Sequence, residues 1–316
     1  MKDFTIAIML PCYNEESAIS KVIQDFRREL PQSKIYVYDN NSIDNTRSVA
    51  LKNGAIVRSA PRKGKGNVVK LMFANIDADI YVLCDGDDTY EAASVNKMIQ
   101  KLLDEELDMV VGKRVEKNHR DSKTYRKGHR LGNILFSKFV SFFFGKFFTD
   151  IFSGYRVFSK RFVKSFPVTA SGFDIEADMV IHSLELKLPV AEIDTKYIER
   201  PTGSCSKLST YKDGCKILWR IFLLLKDYKP LLFFSSISLL FVVCGFLFLI
   251  PILLTYFSTG LVPRFPTLFV SIGLFVVAFV SFACGLILDN TAKVRHELKY
   301  LQYLSLPKLH KDYRKQ

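Results

Sequence analysis

The amino-acid sequence predicts an α/β fold, a doubly wound and mostly parallel sheet, followed by two membrane-spanning helices. Two observations support this prediction. Within residues 1–210, short apolar runs alternate with stretches whose apolar residues recur at helical spacing, a pattern typical of a parallel sheet covered by helices. Within residues 231–288, by contrast, Arg264 is the single formal charge among 58 residues. We therefore expect a charged domain joined to a membrane unit.

Strands and helices alternate from the first apolar run onward. Ser17 marks the start of the first helix, and Gly54 marks the end of the second. In a doubly wound sheet, ligands bind at the carboxyl ends of the strands, where the strand order reverses. The predicted strands are Ile6–Leu10, Lys34–Tyr38, Ala55–Val57, Ile80–Cys84 and Met109–Val111, and the predicted helices are Ser17–Leu30, Asn45–Asn53, Gly66–Ile76 and Ala92–Glu106.

Two charge-free runs follow, Leu231–Phe257 with 27 residues and Phe265–Leu288 with 24. About 20 apolar residues cross the hydrocarbon core of a bilayer, so each run is long enough to span it. A pair of buried core helices is the alternative, but helices that are apolar on every face are rare in soluble domains. Basic residues flank the outer ends of the pair, and the positive-inside rule then places residues 1–210 and both termini in the cytoplasm. We expect an amphipathic surface helix at 211–230, a transmembrane hairpin at 231–288 and a basic cytoplasmic tail at 289–316.

Composition excludes several classes of protein. An apolar share of 48% with 24% charged residues is not that of a disordered chain. The net charge of +13 is compatible with nucleic-acid binding. However, the basic residues flank the membrane runs and no recognition module is present, so we expect no nucleic-acid partner. The six cysteines form no CxxC pair, which indicates reduced thiols and no zinc site.

Polar motifs follow the first, second and fourth predicted strands, and the most informative is Asp85-Gly86-Asp87-Asp88. Neighbouring carboxylates repel each other unless a cation joins them. Oxygen ligands favour Mg²⁺ or Mn²⁺, which in turn can hold a diphosphate. Lys65 lies in a Gly-rich basic turn that opens a helix, where it can meet phosphate, although a solvated basic turn is an equally good interpretation. No GxGxxG or GxxxxGK[ST] motif is present, which disfavours a dinucleotide fold and a P-loop enzyme.

Together these residues resemble the family 2 glycosyltransferases with the GT-A fold, in particular the dolichol-phosphate-mannose-synthase-like enzymes that glycosylate polyprenyl phosphates. The resemblance covers residues 4–210, and the two apolar runs match the membrane-anchored members. The sequence departs from the common family form at two positions: Asn40 stands where a second Asp usually follows Asp39, and Asp88 follows Asp87. The matching motifs are PCYNEE at 11–16, DNNSIDNT at 39–46, GKGN at 64–67, DGDD at 85–88, TDIFSGYR at 149–156 and ERPTGSCSK at 199–207.

The resemblance implies a role for each motif. Asp85 and Asp87 would bind the metal, and Asp87, Asp150 and Glu176 would lie at the reaction centre. For Glu176, a carboxylate that stabilises a helix N-terminus is an equally good interpretation. The nucleotide-sugar pocket would be formed by Pro11, Tyr13, Asn14, Glu15, Asp39, Asn41, Lys65, Asp85, Arg200, Ser206 and Lys207.

The implied reaction is inverting transfer of a sugar from a nucleotide-sugar to the phosphate of a polyprenyl phosphate, for cell-envelope glycans. The acceptor phosphate has a second pKa of about 6, so it is already a nucleophilic dianion at pH 7 and needs little general-base help. Residues 113–165 carry 14 basic and 3 acidic side chains. Within them Arg114, Arg126 and Arg130 are our candidates for holding the acceptor phosphate, and attraction to anionic lipid headgroups is compatible with that role.

The expected donor is a UDP-hexose or UDP-N-acetylhexosamine, the cofactor Mg²⁺ or Mn²⁺, and the assembly a homo-oligomer, a dimer or tetramer, in the cytoplasmic membrane. A GDP-mannose-dependent synthase is the main alternative. A processive polysaccharide synthase is disfavoured, because Trp219 is the only tryptophan and lies in no QxxRW motif, and because two helices cannot enclose a polymer channel. An inactive membrane scaffold is disfavoured by the intact acidic and basic motifs.

Overall fold

The computed structural model describes residues 4–115, 148–167, 175–198 and 222–309. The chain forms two compact units, which we call the larger unit (Met1–Gly214 with Lys299–Gln316) and the smaller unit (Cys215–Leu298). The juxtamembrane helix expected at 211–230 lies mostly outside the described residues, and within its described part, 222–230, residues 222–228 are helical.

The larger unit contains a seven-stranded sheet in the order β3-β2-β1-β4-β6-β5-β7. All neighbouring strands run parallel except β6, which is antiparallel to both β4 and β5. The predicted doubly wound, mostly parallel sheet is therefore confirmed. The strands are β1 (Ile6–Cys12), β2 (Lys34–Asp39), β3 (Ile56–Ser59), β4 (Ile80–Leu83), β5 (Met109–Val115), β6 (Arg156–Ser159) and β7 (Val190–Lys196).

Six helices of the described residues belong to this unit, and the apolar faces of α1 and α4 cover the core. Helix α1 buries Ile19, Val22, Ile23 and Phe26 at helical spacing. Among the described cysteines, Cys12, Cys84, Cys244 and Cys284 are free thiols. The helices are α1 (Ile19–Glu29), α2 (Thr46–Lys52), α3 (Lys65–Asn75), α4 (Ser94–Asp104), α5 (Lys160–Ser165) and α6 (Ile175–Glu185).

Strand β5 is longer than predicted, ending at Val115 rather than Val111. The reason is tertiary: β7 pairs with β5 along its whole length, from Met109 with Val190 to Val115 with Lys196. We call the edge of the sheet where the parallel strands end the carboxyl edge, and the edge where they begin the amino edge. The extension of β5 brings Arg114 to the carboxyl edge.

Helices α7 (Pro230–Thr259) and α8 (Phe265–Leu304) are long and apolar enough to cross a membrane. Within the smaller unit they are joined by side-chain hydrogen bonds, because Ser238 Oγ donates to Ala278 O at 2.8 Å and Ser271 Oγ donates to Gly245 O at 2.9 Å. Helix α8 continues past the predicted span end at Leu288, since residues 289–304 contain no Gly or Pro to end it. The first part of the expected tail is therefore helical.

The chain returns to the larger unit through what we call the C-terminal segment, residues 299–309. Tyr303 Oη donates to Asp108 Oδ2 at 2.7 Å, and the Arg161 guanidinium lies 3.9 Å from the centre of the Tyr303 ring. Lys299 Nζ lies 2.8 Å from Glu185 Oε2. Asp108 immediately precedes β5 and Glu185 ends α6, so the segment packs at the amino edge.

Candidate active site

Two motifs at the carboxyl edge, residues 11–16 at the end of β1 and 39–46 at the end of β2, are joined by hydrogen bonds between side chains and backbone. Asn14 N donates to Ser42 Oγ at 2.9 Å, and Ile43 N donates back to Asn14 Oδ1 at 2.9 Å. Glu15 N donates to Thr46 Oγ1, also at 2.9 Å. These bonds satisfy backbone groups that no strand partner reaches. The two motifs are therefore held together as one continuous surface, which we call the wall.

Six of the residues expected in the nucleotide pocket lie along this wall: Pro11, Tyr13, Asn14, Glu15, Asp39 and Asn41. Asp39 and Glu15 are buried, and Asp39 Oδ1 accepts a hydrogen bond from Ser42 N at 3.1 Å. Asn14 and Asn41 have left-handed backbones (φ 55° and 64°), a conformation that Asn adopts more readily than most residues. Pro11, which is paired with Tyr38 of β2, and Tyr13 are half-buried.

The DGDD motif follows β4, and the carboxylates of Asp87 and Asp88 have different partners. Asp87 is 3% exposed, and its Oδ1 accepts a hydrogen bond from Thr89 Oγ1 at 2.6 Å. Asp88, with a left-handed backbone (φ 58°), pairs with Lys21 at 2.6 Å. The carboxylate that departs from the family form is therefore engaged by α1.

Lys65 joins two carboxylates that are far apart in sequence. Its Nζ lies 2.5 Å from Asp85 Oδ1 and 2.5 Å from Glu176 Oε1. The Lys65 side chain is 10% exposed, and Glu176 is buried in the first turn of α6. Burial by itself lowers the pKa of the Lys65 ammonium, but attraction to Asp85 and Glu176 outweighs it and raises the pKa well above its ordinary value. Lys65 is thus a fixed cation that is shared by two carboxylates.

Arg114 and Asp150 form a second ion pair at this edge. Arg114 Nε donates to Asp150 Oδ2 at 2.7 Å, and Nη2 donates to Oδ1 at 2.7 Å, which is the bidentate geometry that arginine favours with a carboxylate. The Arg114 guanidinium also lies 5.6 Å from the centre of the Tyr197 ring. Sequence reasoning expected these two residues in different roles, at the acceptor phosphate and at the reaction centre, and the structure brings them together.

The loop that carries Asp150, residues 148–155, is held by groups that sequence reasoning did not single out for the site. Tyr90 Oη accepts a hydrogen bond from Gly154 N at 2.9 Å, and a Cβ at Gly154 would collide with the Asp85 carboxylate. Arg156 is fully buried and donates to Ser153 O at 3.0 Å and to Ile151 O at 2.5 Å. Burial lowers the pKa of Arg156 to about 10, so the side chain remains charged at neutral pH. In the sequence, the residues SGYR at 153–156 of the family motif were the feature that could have indicated a role for this loop.

Several expected site residues lie outside the described residues. These are the acceptor candidates Arg126 and Arg130 and the loop residues Arg200, Ser206 and Lys207.

A divalent metal fits the chemistry of this edge. Asp85 and Asp87 supply two carboxylates from one strand end, and no larger group of His, Cys, Asp or Glu side chains gathers as a metal centre within the residues described. Mg²⁺ is commonly held by one or two carboxylates together with substrate phosphates and water, rather than by an all-protein cage. The donor set therefore suits a metal that binds with a diphosphate.

Comparison with known proteins agrees with this geometry. The family model described as "Glycosyl transferase family 2" matches residues 7–166. The chain is 33% identical over 234 residues to the glycosyltransferase AglJ of Haloferax volcanii, which covers 74% of this chain and 76% of AglJ. It is 27% identical over 248 residues to the UDP-N-acetylglucosamine–dolichyl-phosphate N-acetylglucosaminyltransferase of Methanococcus voltae, with 71% of this chain and 97% of that protein covered.

Among solved structures, the fold is similar to glucosyl-3-phosphoglycerate synthase from Mycobacterium tuberculosis in complex with Mn²⁺, UDP and glucosyl-3-phosphoglycerate. The TM-score is 0.54 at 23% identity, and the match covers 71% of this chain and 80% of the synthase. At this identity the likeness establishes a shared GT-A-type fold for the larger unit.

Proposed function

The chain belongs to glycosyl transferase family 2, and from that premise we propose that it transfers a sugar from a nucleotide-sugar to the phosphate of a polyprenyl phosphate. One observation carries the proposal: a single chain joins a charged site at the carboxyl edge to two helices able to cross a bilayer. An acceptor with a lipid tail and a phosphate head needs both. The relative from Methanococcus voltae, named for transfer to dolichyl phosphate, supports the same acceptor class.

The proposed donor is a UDP-hexose or a UDP-N-acetylhexosamine, with GDP-mannose as the competing donor. Support for UDP comes from the name of that relative and from the UDP in the mycobacterial synthase complex. In this proposal Asp39 and Glu15, on the wall formed by the two motifs, face the nucleoside. Lys65, Arg200, Ser206 and Lys207 would contact the diphosphate.

Asp85 and Asp87 would hold Mg²⁺ or Mn²⁺ together with the diphosphate, and the Mn²⁺ in the mycobacterial complex supports this assignment. When bound, the metal adds positive charge beside the departing diphosphate. Lys65 supplies a second positive charge that is already in place, because its two ion pairs hold the ammonium group at the edge of the sheet. Such preorganised charge stabilises the leaving group without reorganisation during the reaction.

In the proposed reaction, an acceptor phosphate oxygen forms a bond to the anomeric carbon as the bond from that carbon to the donor diphosphate breaks. The acceptor is a dianion at neutral pH, so no proton has to be removed and no general base is required. Direct attack inverts the anomeric centre. Arg114 is assigned to the acceptor phosphate with Arg126 and Arg130, and Asp150 is assigned to aim the Arg114 guanidinium through the two hydrogen bonds described above.

The basic residues outside the two spans favour a cytosolic larger unit, with both termini on the same side. We propose a homo-oligomer in the cytoplasmic membrane whose product supplies a cell-envelope glycan.

The test is sugar transfer by the purified full chain in detergent with a short-chain polyprenyl phosphate and Mn²⁺. The donor panel is UDP-glucose, UDP-GlcNAc, UDP-GalNAc and GDP-mannose, each with and without EDTA. Asp87→Asn should reduce the rate of product formation by about 10³. Asp88→Asn is the matched control, because its carboxylate pairs with Lys21 and Asn accepts its left-handed backbone. Absence of product from all four donors, with an acceptor that a known synthase accepts, would count against the proposal.

A further inference from the structure

Asn40, the residue that departs from the common family form, makes three hydrogen bonds to a single loop. Its Nδ2 donates to Ala60 O at 2.8 Å and to Arg62 O at 2.8 Å, and its Oδ1 accepts from Gly64 N at 2.8 Å. The residue is 8% exposed. Both amide hydrogens and the amide oxygen are therefore used, all on the loop that joins β3 to α3.

That loop leads directly to Lys65. Gly64 is the N-cap residue of α3 and has φ 116°, a conformation that residues with a Cβ rarely adopt, and Lys65 is the first residue of the helix. Asn40 thus holds two carbonyls upstream of this turn and the amide at the turn itself, while Asn41 Nδ2 donates to the carbonyl between them, Pro61 O, at 2.8 Å. The three bonds of Asn40 help to set the direction in which α3 begins, and with it the origin of the Lys65 side chain.

An aspartate at position 40 cannot make the same contacts. The carbonyl oxygens of Ala60 and Arg62 need N–H donors, and an ionised carboxylate has none. It would instead place negative oxygen against two carbonyl oxygens in a buried position, where unpaired polar groups are costly. Asn in place of the family's usual Asp is therefore matched to the path of this loop.

We propose that Asn40 is a positioning residue that aims Lys65 at the donor diphosphate. The inference rests on the proposed function, because it assumes that Lys65 contacts that diphosphate. It predicts that Asn40 affects nucleotide binding through Lys65 and through no other route. If Asn40 had a purely structural role, its substitution would instead lower UDP affinity whether or not Lys65 is present.

A double-mutant cycle separates these two roles, because residues that act through one another are not additive. The affinity for UDP with Mn²⁺ is measured by calorimetry on the full chain in detergent, for wild type, Asn40→Asp, Lys65→Gln and the double variant. We expect Asn40→Asp to weaken UDP binding about tenfold, and to weaken it no further in the Lys65→Gln background. In steady-state assays, the KM for the nucleotide-sugar should rise while the KM for the polyprenyl phosphate stays the same.

Asn53→Asp is the matched control. The Asn53 amide is also part-buried and also makes three hydrogen bonds, to Val49 O at 2.9 Å, from Ser20 Oγ at 3.2 Å and from Gln24 Nε2 at 3.0 Å, but it caps α2 away from the loop to Lys65. UDP affinity should be unchanged in this variant. If Asn40→Asp does not fold, Asn40→Ser, which keeps one donor, takes its place in the cycle.

Two results would overturn the assignment of Asn40: additive losses in the cycle, or an equal loss of affinity in Asn53→Asp. If wild type binds neither UDP nor GDP, the proposed function fails, and the assignment of Asn40 fails with it. Additive losses, or an equal loss in Asn53→Asp, would leave the proposed function intact. Failure of the Asn40 assignment is therefore distinguishable from failure of the proposed function.

Discussion

Three buried carboxylates at the two edges of the sheet are held in different ways. At the carboxyl edge, Glu176 and Asp150 are held by the cationic side chains of Lys65 and Arg114. At the amino edge, Asp108 is held by neutral hydroxyls, from Ser159 Oγ at 2.6 Å and from Tyr303 Oη at 2.7 Å. The nearby His182 is buried between the rings of Phe162 and Phe166.

The difference separates cations that an arriving anion can share from hydroxyl groups that it cannot. A cation that is shared among carboxylates keeps its attraction for any other anion, so an arriving phosphate can take a share of it. A hydroxyl donates one hydrogen bond in one direction and offers no such exchange. We therefore expect substitutions at the carboxyl edge to act mainly on catalysis, and substitutions at the amino edge to act mainly on stability.

The largest effect is expected for Asp87→Asn. Loss of this carboxylate should reduce kcat/KM by about 10³, in the range found when a group that stabilises transition-state charge is removed. Steady-state kinetics over a Mn²⁺ titration would measure it, with Asp88→Asn retaining activity. A tenfold effect or less would mean that Asp87 has no role in metal binding.

Lys65→Gln should reduce kcat/KM by about 10², because an amide can hydrogen-bond to Asp85 and Glu176 but brings no charge to the diphosphate. Steady-state kinetics with the nucleotide-sugar as the varied substrate would measure this loss. If this variant had wild-type kinetics, Lys65 would have no role at the active site.

His182, near the amino edge, tests the expectation that substitutions at this edge act mainly on stability. Burial, with a smaller effect of Lys299, lowers the pKa of His182 to about 3. In the unfolded chain the pKa is about 6.5, so below that pH the unfolded state binds a proton that the folded state does not, and stability falls as the pH falls. Between pH 7 and 5 the loss should be about 2 kcal/mol.

The check is denaturant unfolding of wild type and His182→Phe at both pH values. The variant keeps an aromatic ring but has no group to titrate. Between pH 7 and 5 its unfolding free energy should therefore fall by about 2 kcal/mol less than that of wild type. Equal slopes for the two proteins would show that His182 is protonated in the folded state.

The smallest effect is expected for Tyr303→Phe, which removes one hydroxyl and keeps the ring under the Arg161 guanidinium. Loss of a hydrogen bond to a buried carboxylate should cost about 1.5 kcal/mol of unfolding free energy. Transferase activity should be unchanged at temperatures where the protein is folded. A large loss of activity without loss of stability would contradict the division between the two edges.

Sequence patterns predicted the alternating elements and the positions of the polar motifs, because both depend on local spacing. They did not predict the antiparallel strand β6, a four-residue run whose direction is set by its neighbours β4 and β5. They also did not predict which site residues touch. Lys65 meets Glu176 from 111 positions away, and only the packing of α3 and α6 decides that contact.

Asn40 illustrates the same limit at a single position. The letters after β2 show a departure from the family form, but the carbonyls that the amide satisfies belong to a loop some 20 residues later. The orientation of Asp88 is likewise invisible in the run of acids, because it depends on a left-handed backbone and on Lys21 in α1.

The return of residues 299–309 to the amino edge has a consequence for biosynthesis. A ribosome makes both charge-free runs, Leu231–Phe257 and Phe265–Leu288, before it makes Tyr303 and Lys308, so Asp108 and Glu106 gain these partners only after both runs have been synthesised. Domains generally fold as their residues emerge, yet this one receives part of its structure only late in translation. Chains released before residue 299 would lack these partners of Asp108 and Glu106 and would carry an unfinished domain.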